Sequence, residues 1–388
     1  MENGNGSAKT TGKVIRCKAA VCRSPGTALV IEEIEVDPPK AYEVRIKILC
    51  TSLCHSDISF WKLNIQHPFS VFPRIFGHEA IGVVESVGEH VEEVKEGDLV
   101  LPVFQPHCGD CRDCKSPKSN ACRGLPKLYD KMPRDGTSRF RSINGEVVHH
   151  FLFVSSFAEY TVVDAAHVVK IQPDIPVEKA CLLSCAVSTG VGAAWKVADV
   201  EEGSTVAIFG LGAVGLAVAE GARSRQASKI IGVDLNPEKF EIGKKFGITD
   251  FINPTTCGNK KVSEVIKEMT DGGADYCFEC VGLTSLMEEA FNSNRGGWGK
   301  TVILGVDVNS LSLPLNPHEL LQGRSVTGSL FGGLKPKSDI PFLVEKYLHQ
   351  ELNLEGFVTH EVSFQDINKA FELLVQGKTI RCIIWMEK

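Results

Sequence analysis

The chain has 388 residues, which at about 150 residues per domain makes two or three domains and excludes a single small module. With 43% hydrophobic, 23% charged and 7% aromatic residues, it has the composition of a folded globular protein and not of a disordered or fibrous one. A formal charge of -6 gives no overall footprint for nucleic acid or an anionic membrane. The 14 cysteines then stand for disulfides, metal ligands or buried thiols.

Residues 1–13 are polar and lack the apolar core of a secretory signal. The longest uncharged apolar stretch, 206–219, falls short of the roughly 20 residues a membrane span needs and is interrupted by glycines. We therefore expect a cytoplasmic chain, with thiols free or holding metal. From 14 to 103 the sequence reads as short strands at 14–23, 29–36, 44–50, 80–88 and 99–103, punctuated by Pro, Gly and Asp, an all-β pattern. From about Ser204 strands alternate with helices: TVAIF, a helix over 213–223, IIGVD, a helix over 237–246, DFI, a helix over 262–269, DYCFEC, a helix over 285–292, TVILG, a short helix near 317–322, and SVTGS. This alternation predicts an α/β, doubly wound parallel sheet. Helices at 338–349 and 365–376 and a strand IRCIIWM close the chain.

Three groups of residues carry chemistry. Between TVAIF and its helix stands Gly210-Leu211-Gly212-Ala213-Val214-Gly215, a G-x-G-x-x-G in strand–turn–helix context. Gly210 allows the turn, Gly212 lets backbone approach a pyrophosphate, and Gly215 lets helix and strand pack closely. Asp234 ends the next strand, where a carboxylate accepts from the adenosine ribose and repels a 2′-phosphate, so NAD is expected in preference to NADP. Cys108, Cys111, Cys114 and Cys122 lie in a lobe nearly devoid of apolar residues. Four thiolates there order the lobe around a tetrahedral zinc with no open position, a structural site. The seven-residue gap before Cys122 does not fit an iron–sulfur cluster. Its Lys and Arg residues, without interleaved aromatics, read as solvated charge. The third group, Cys54-His55-Ser56-Asp57 with Gly77-His78-Glu79, is either part of an open metal site or a core histidine beside a buried thiol.

These motifs, with LLSCAVSTG at 182–190, FGG at 331–333 and IRCI at 380–383, resemble the zinc-dependent medium-chain alcohol dehydrogenases, and among them the plant alcohol dehydrogenase-like subgroup. The resemblance covers nearly the whole chain beyond the first dozen residues. It implies a mainly-β GroES-like catalytic domain over 1–186 with the lobe at about 107–123, a Rossmann NAD-binding domain over 187–330, and a return to the catalytic domain over 331–388. It implies two zinc ions per subunit, a catalytic one on Cys54, His78 and Cys185 and a structural one on the four-cysteine lobe. Asp57 is then the partner that orients His78, Glu79 a carboxylate behind the metal, and Ser56 the hydroxyl against the substrate oxygen. Thr189 and Val214 face the nicotinamide, His55 and Arg381 the pyrophosphate, and Asp234 and Lys239 the ribose. Hydride passes between an alcohol or aldehyde and the coenzyme.

Two departures bear on substrate. Ser59 stands where many family members carry a proton-relay histidine. Glutathione-dependent formaldehyde dehydrogenases, the alternative activity, have acidic residues near Ile58-Ser59-Phe60-Trp61-Lys62 and an arginine where this chain has Pro126. Phe60, Trp61, Phe69, Phe72, Phe104 and Phe151 instead suggest a pocket for a hydrophobic or aromatic alcohol. A reading from another class, a zinc-stabilised nucleotide-binding protein without catalysis, would require a broken catalytic site. The apolar segments 301–306 and 311–315 are expected at the last edge of the coenzyme sheet, pairing in a homodimer. Cys277 and Cys280 are expected as small buried hydrophobes in a strand.

Overall fold

The computed structural model describes residues 10–63, 69–307 and 311–387. Its N-terminal part holds two sheets. A five-stranded antiparallel sheet has the order Arg74–Ile75, Ile15–Cys22, Val30–Val36, Phe140–Ser142, Val147–Val148. The second sheet is built on the long strand Glu43–Ser52, which pairs along one edge with Glu79–Val87. Its other edge is divided: the first half takes Tyr160–Asp164, and the second half takes Arg381–Trp385 from the far end of the chain. Val358–Ser363 adds outside that last strand in parallel.

The alternating segments form six parallel strands in the order Asp250–Ile252, Lys229–Val233, Thr205–Phe209, Tyr276–Glu279, Lys300–Ile303, Ser325–Gly328. The order reverses at Thr205–Phe209, so the crevice at its C-terminal end lies where doubly wound sheets bind ligands. One expectation about this sheet is corrected. Lys300–Ile303 is an inner strand, hydrogen-bonded on both sides, and the edge belongs to Ser325–Gly328. Residues 311–315 form no strand, and Leu311 is exposed. Cys277 is buried in its strand, and Cys280 follows the strand's end, partly buried.

A continuous apolar core joins the two parts, running from Ile81 and Leu101 through Cys181–Leu183 and Val187 to Val206, Ile208 and Leu216. At its centre, helix Ala186–Gly192 lies against helix Ala213–Ser224 at Gly190. A Cβ there would run into the Val214 carbonyl oxygen and the Ala217 methyl, both inside the second helix. This approach sets Thr189 beside Val214. Gly190→Ala is expected to destabilise the protein by about 1–3 kcal/mol through overpacking, seen as a lowered urea midpoint; an unchanged midpoint would mean that the two helices separate without cost.

Candidate metal and coenzyme site

Strand Glu43–Ser52 runs out at Ser52, and the chain turns through Cys54 into the short helix His55–Trp61. Asp57, in the first turn, folds back to accept from the Cys54 N–H at 3.0 Å. Its other oxygen accepts from the Gly77 N–H at 3.0 Å and faces His78 Nδ1 at 3.3 Å. With Nδ1 directed at a carboxylate, His78 presents Nε2 to the sulfurs, and Cys185 Sγ lies 3.4 Å from it. The ligand atoms of Cys54, His78 and Cys185 are all within 4.8 Å of one another, and all three residues are buried. This is the donor set and spacing of a zinc site with one position left over.

The three groups hold their protons unevenly. A hydrogen bond from Cys185 holds the Cys54 thiol well below its usual range despite burial, helped by the charges of Arg381 and His78. The same bond, with burial, pushes Cys185 well above it. Burial opposes a charge on His78, but the charge of Asp57 and its hydrogen bond outweigh burial and raise the imidazole well above its ordinary value. Behind the cluster Glu79 receives Arg381 Nε at 3.1 Å, and Arg381 Nη2 lies 3.5 Å from Cys54 Sγ. Arg381 was expected at a pyrophosphate. It is 2% exposed, with its guanidinium engaged by Glu79, Cys54 and the Ile380 carbonyl, because an unpaired buried Glu79 would be costly.

On the facing sheet the glycine turn fits a dinucleotide. Gly210 has φ +94°, and a Cβ on Gly215 would collide with the Gly210 carbonyl oxygen. A Cβ on Gly212 would meet nothing within 4 Å, which leaves the start of helix Ala213–Ser224 bare toward the crevice. Asp234 accepts from the Leu211 N–H at 2.8 Å and the Asn236 N–H at 2.9 Å, and Lys239 Nζ lies 3.0 Å from it. His55 is exposed at the first turn of its helix, within electrostatic reach of Lys239 and Arg381.

A cavity of about 340 Å³ lies between the two parts of the chain. Cys54, Ser56, His78 and Cys185 line it from one side, and Thr189 and Val214 from the other. Phe60, Phe69 and Phe104 contribute apolar walls, as do Leu330 and Phe331. Trp61 does not. One residue further around its helix, it packs edge-to-face on Phe371 and donates to the Thr27 carbonyl at 2.7 Å. Phe151 is 1% exposed and stands behind the wall, edge-on to Phe60 and Phe76, bordering a smaller cavity of about 140 Å³. Phe72 packs on Phe76, outside the main cavity. Gln105, Leu125, Tyr129, Phe153, His167 and Ser329 also line the cavity, and sequence reasoning missed them. Only the closeness of Gln105 to Phe104 and of Phe153 to Phe151 gave any signal.

The second cysteine group, Cys108, Cys111, Cys114 and Cys122, also has its sulfurs within 4.8 Å. The Cys111 N–H points at Cys108 Sγ and the Cys114 N–H at Cys111 Sγ, each at 3.4 Å. The latter bond draws the Cys111 thiol down to about 6, while burial pushes Cys114 up to about 12. A Cβ on Gly124 would touch Cys108 Sγ at 2.6 Å, so the chain closes tightly over the sulfurs. Lys335 Nζ donates to the Cys114 and Ser116 carbonyls at 2.6 and 2.7 Å, and Asn120 donates to the Leu330 and Leu334 carbonyls.

Residues 40–173 match the family described as alcohol dehydrogenase GroES-like domain, and residues 213–375 the family described as zinc-binding dehydrogenase. Alcohol dehydrogenase-like 5 of Arabidopsis thaliana is 69% identical over 379 residues, 97% of each chain. Alcohol dehydrogenase 1 of Petunia hybrida is 54% identical over 383 residues, 98% of this chain and 100% of that one. Benzyl alcohol dehydrogenase of Acinetobacter calcoaceticus has the same fold, with a TM-score of 0.86 at 28% identity, covering 96% of this chain and 100% of its own.

Asp57→Asn keeps the size of the side chain but loses the charge that orients His78. Metal affinity is expected to fall roughly 10–100-fold, measured by competition with a chromogenic chelator. Affinity equal to that of the unaltered protein would show that the backbone alone places His78.

Proposed function

The chain belongs to the zinc-dependent medium-chain alcohol dehydrogenase family, in its plant alcohol dehydrogenase-like subgroup, and is an oxidoreductase; on that premise we propose that it transfers hydride between a hydrophobic or aromatic alcohol and NAD at the Cys54–His78–Cys185 cluster. The observation that carries this is one cavity lined at the same time by the three ligand residues, the Ser56 hydroxyl, apolar aromatic walls, and Thr189 and Val214 from the coenzyme side. When bound, zinc supplies Lewis acidity to the substrate oxygen and the nicotinamide supplies a hydride acceptor or donor.

The protein's own residues do the rest. Ser56, two residues after Cys54, presents a hydroxyl that would accept the proton of the substrate oxygen; Ser59 does not offer the imidazole of the usual relay. Asp57 and Glu79 hold His78 and Arg381 in place from behind. Thr189 and Val214 would hold the nicotinamide face against the cavity, and such positioning is the entropic part of catalysis. Gly210, Gly212 and Gly215 seat the pyrophosphate near His55, and Asp234 with Lys239 takes the ribose and disfavours a 2′-phosphate. The four-cysteine lobe holds a second, structural zinc.

The domain limits we propose are 1–186 and 331–388 for the catalytic part and 187–330 for the coenzyme part. No two cysteines are joined in a disulfide, and a cytoplasmic location is part of the proposal. Among the described residues no helix is long and apolar enough to cross a membrane. The open edge of Ser325–Gly328, with Leu311 and Leu321 exposed nearby, favours pairing of two copies, and a single dimeric species on a sizing column is the expected outcome.

Purified protein is expected to reduce benzaldehyde with NADH, without glutathione. Cys54→Ser is expected to lower kcat/KM by about 1,000-fold or more, because a site that cannot hold its metal loses several kcal/mol of charge stabilisation. Its metal content should fall from about two to about one zinc per subunit, the closed lobe keeping its own. Full turnover in Cys54→Ser, or turnover only with formaldehyde and glutathione, would overturn the reading.

A further inference from the structure

Glu279 is a fully buried acid on the coenzyme side that no role assigned above uses. It ends strand Tyr276–Glu279, level with Phe209 on one neighbouring strand and Ile303 on the other. Its side chain therefore sits at the C-terminal end of the sheet, beside the point where the strand order reverses. Three turns leave the sheet there: the glycine turn after Phe209, residues 280–283 after Glu279, and residues 304–306 after Ile303.

This one residue ties the three turns together. Glu279 Oε1 accepts from the Val281 N–H at 2.9 Å and the Gly282 N–H at 2.8 Å, and the Glu279 carbonyl accepts from the Leu304 N–H at 2.8 Å and the Gly305 N–H at 3.1 Å. Oε2 has no hydrogen-bond partner and lies against the third turn, where a Cβ on Gly305 would come within 2.6 Å of it. Held in this way, Val281 covers the glycine turn: a Cβ on Gly210 would be 2.5 Å from Val281 Cγ2. Gly282 packs on Val306, whose carbonyl oxygen would be 2.6 Å from a Cβ there. Leu304 and Val306 in turn line the cavity. Apolar packing alone does not hold these turns, since Val281 is 47% and Val306 49% exposed. Burial pushes the Glu279 carboxyl above its ordinary value while the surrounding backbone N–H groups pull it down. A buried acid is costly, and what it supplies here is an acceptor for two consecutive N–H groups that no strand pairs.

We propose that Glu279 is a positioning residue for the coenzyme: its side chain fixes turns 280–283 and 304–306 against the glycine turn before the coenzyme arrives, so that binding does not have to order them. The inference rests on the reading of the glycine turn as the coenzyme's seat. Without the acceptor the turns spend part of the time in other arrangements, and the apparent affinity falls by the fraction of molecules left in the binding one.

The test measures benzaldehyde reduction by the zinc-loaded protein over a range of NADH concentrations. Glu279→Met, which keeps the length of the side chain and loses the acceptor, is expected to raise KM for NADH about tenfold, as when about one molecule in ten is in the binding arrangement. Its kcat at saturating NADH should stay within about threefold and its zinc content unchanged, because the acid touches neither the metal ligands nor the reacting atoms. Glu279→Gln keeps an acceptor for both N–H groups and is expected to restore KM to within about twofold of the unaltered protein. In the unaltered protein, hydrogen exchange of the Val281 and Gly282 amides should be slow before NADH is added and change little on its addition, a readout that does not depend on a variant folding. An unchanged KM in Glu279→Met, a Glu279→Gln as impaired as Glu279→Met, kcat and zinc content falling together with affinity, or amides that exchange freely until NADH is present would each overturn the proposal. Failure of NADH to bind the unaltered protein at all would defeat the coenzyme reading itself, and the proposal with it.

Discussion

The carboxylate of Asp57 is the constraint on which the site depends. It is completely buried and takes three partners, the backbone N–H groups of Cys54 and Gly77 and the ring of His78. All three partners are or adjoin candidate metal ligands, Cys54 just after one strand and His78 just before another, so one side chain fixes the distance between them. It also settles which imidazole nitrogen faces the sulfurs. A buried charge of this kind is tolerable only because every partner is a donor. The Glu79–Arg381 pair repeats the principle one layer deeper, tying strand Glu79–Val87 to the C-terminal strand beneath Cys54.

Around that centre, the fold brings distant pieces of chain to one cavity. Strand Glu43–Ser52 delivers Cys54 and accepts Arg381–Trp385 on its edge. The close approach at Gly190 presses Thr189 toward the coenzyme turn. The four-cysteine lobe takes part as well, since Cys122 is in the cavity wall and Lys335 and Asn120 bind the lobe to the segment that carries Leu330 and Phe331. A metal ordering the lobe, as we propose, would thus also brace one side of the cavity.

Much of this was legible in the sequence. The six coenzyme strands, the helix after the glycine turn and the four-cysteine lobe follow from periodicity and spacing, because those signals are local, whereas Cys185 joined Cys54 and His78 only through the family resemblance. The neighbours of a strand are not local, and so 301–306 was placed at an edge that belongs to Ser325–Gly328. Strands as short as Phe140–Ser142 and Val147–Val148 carry too few residues to show alternation. Side-chain partners were the hardest to read. Arg381 is expected at the pyrophosphate, and nothing in its own segment reveals that it also pairs with Glu79, some 302 positions away in the chain. Phe60 and Trp61 are adjacent in sequence, yet helical geometry sends one to the cavity and the other to Phe371.

The central claim is that the two cysteine groups are two zinc sites of different kinds, one closed and one open to substrate. Crystals of the protein with NADH, measured on both sides of the zinc absorption edge, test it most directly. The account predicts two anomalous peaks per subunit, one among Cys108, Cys111, Cys114 and Cys122 and one bounded by Cys54, His78 and Cys185 with its fourth side on the cavity. A subunit with the lobe peak alone, in protein that still reduces benzaldehyde, would contradict it.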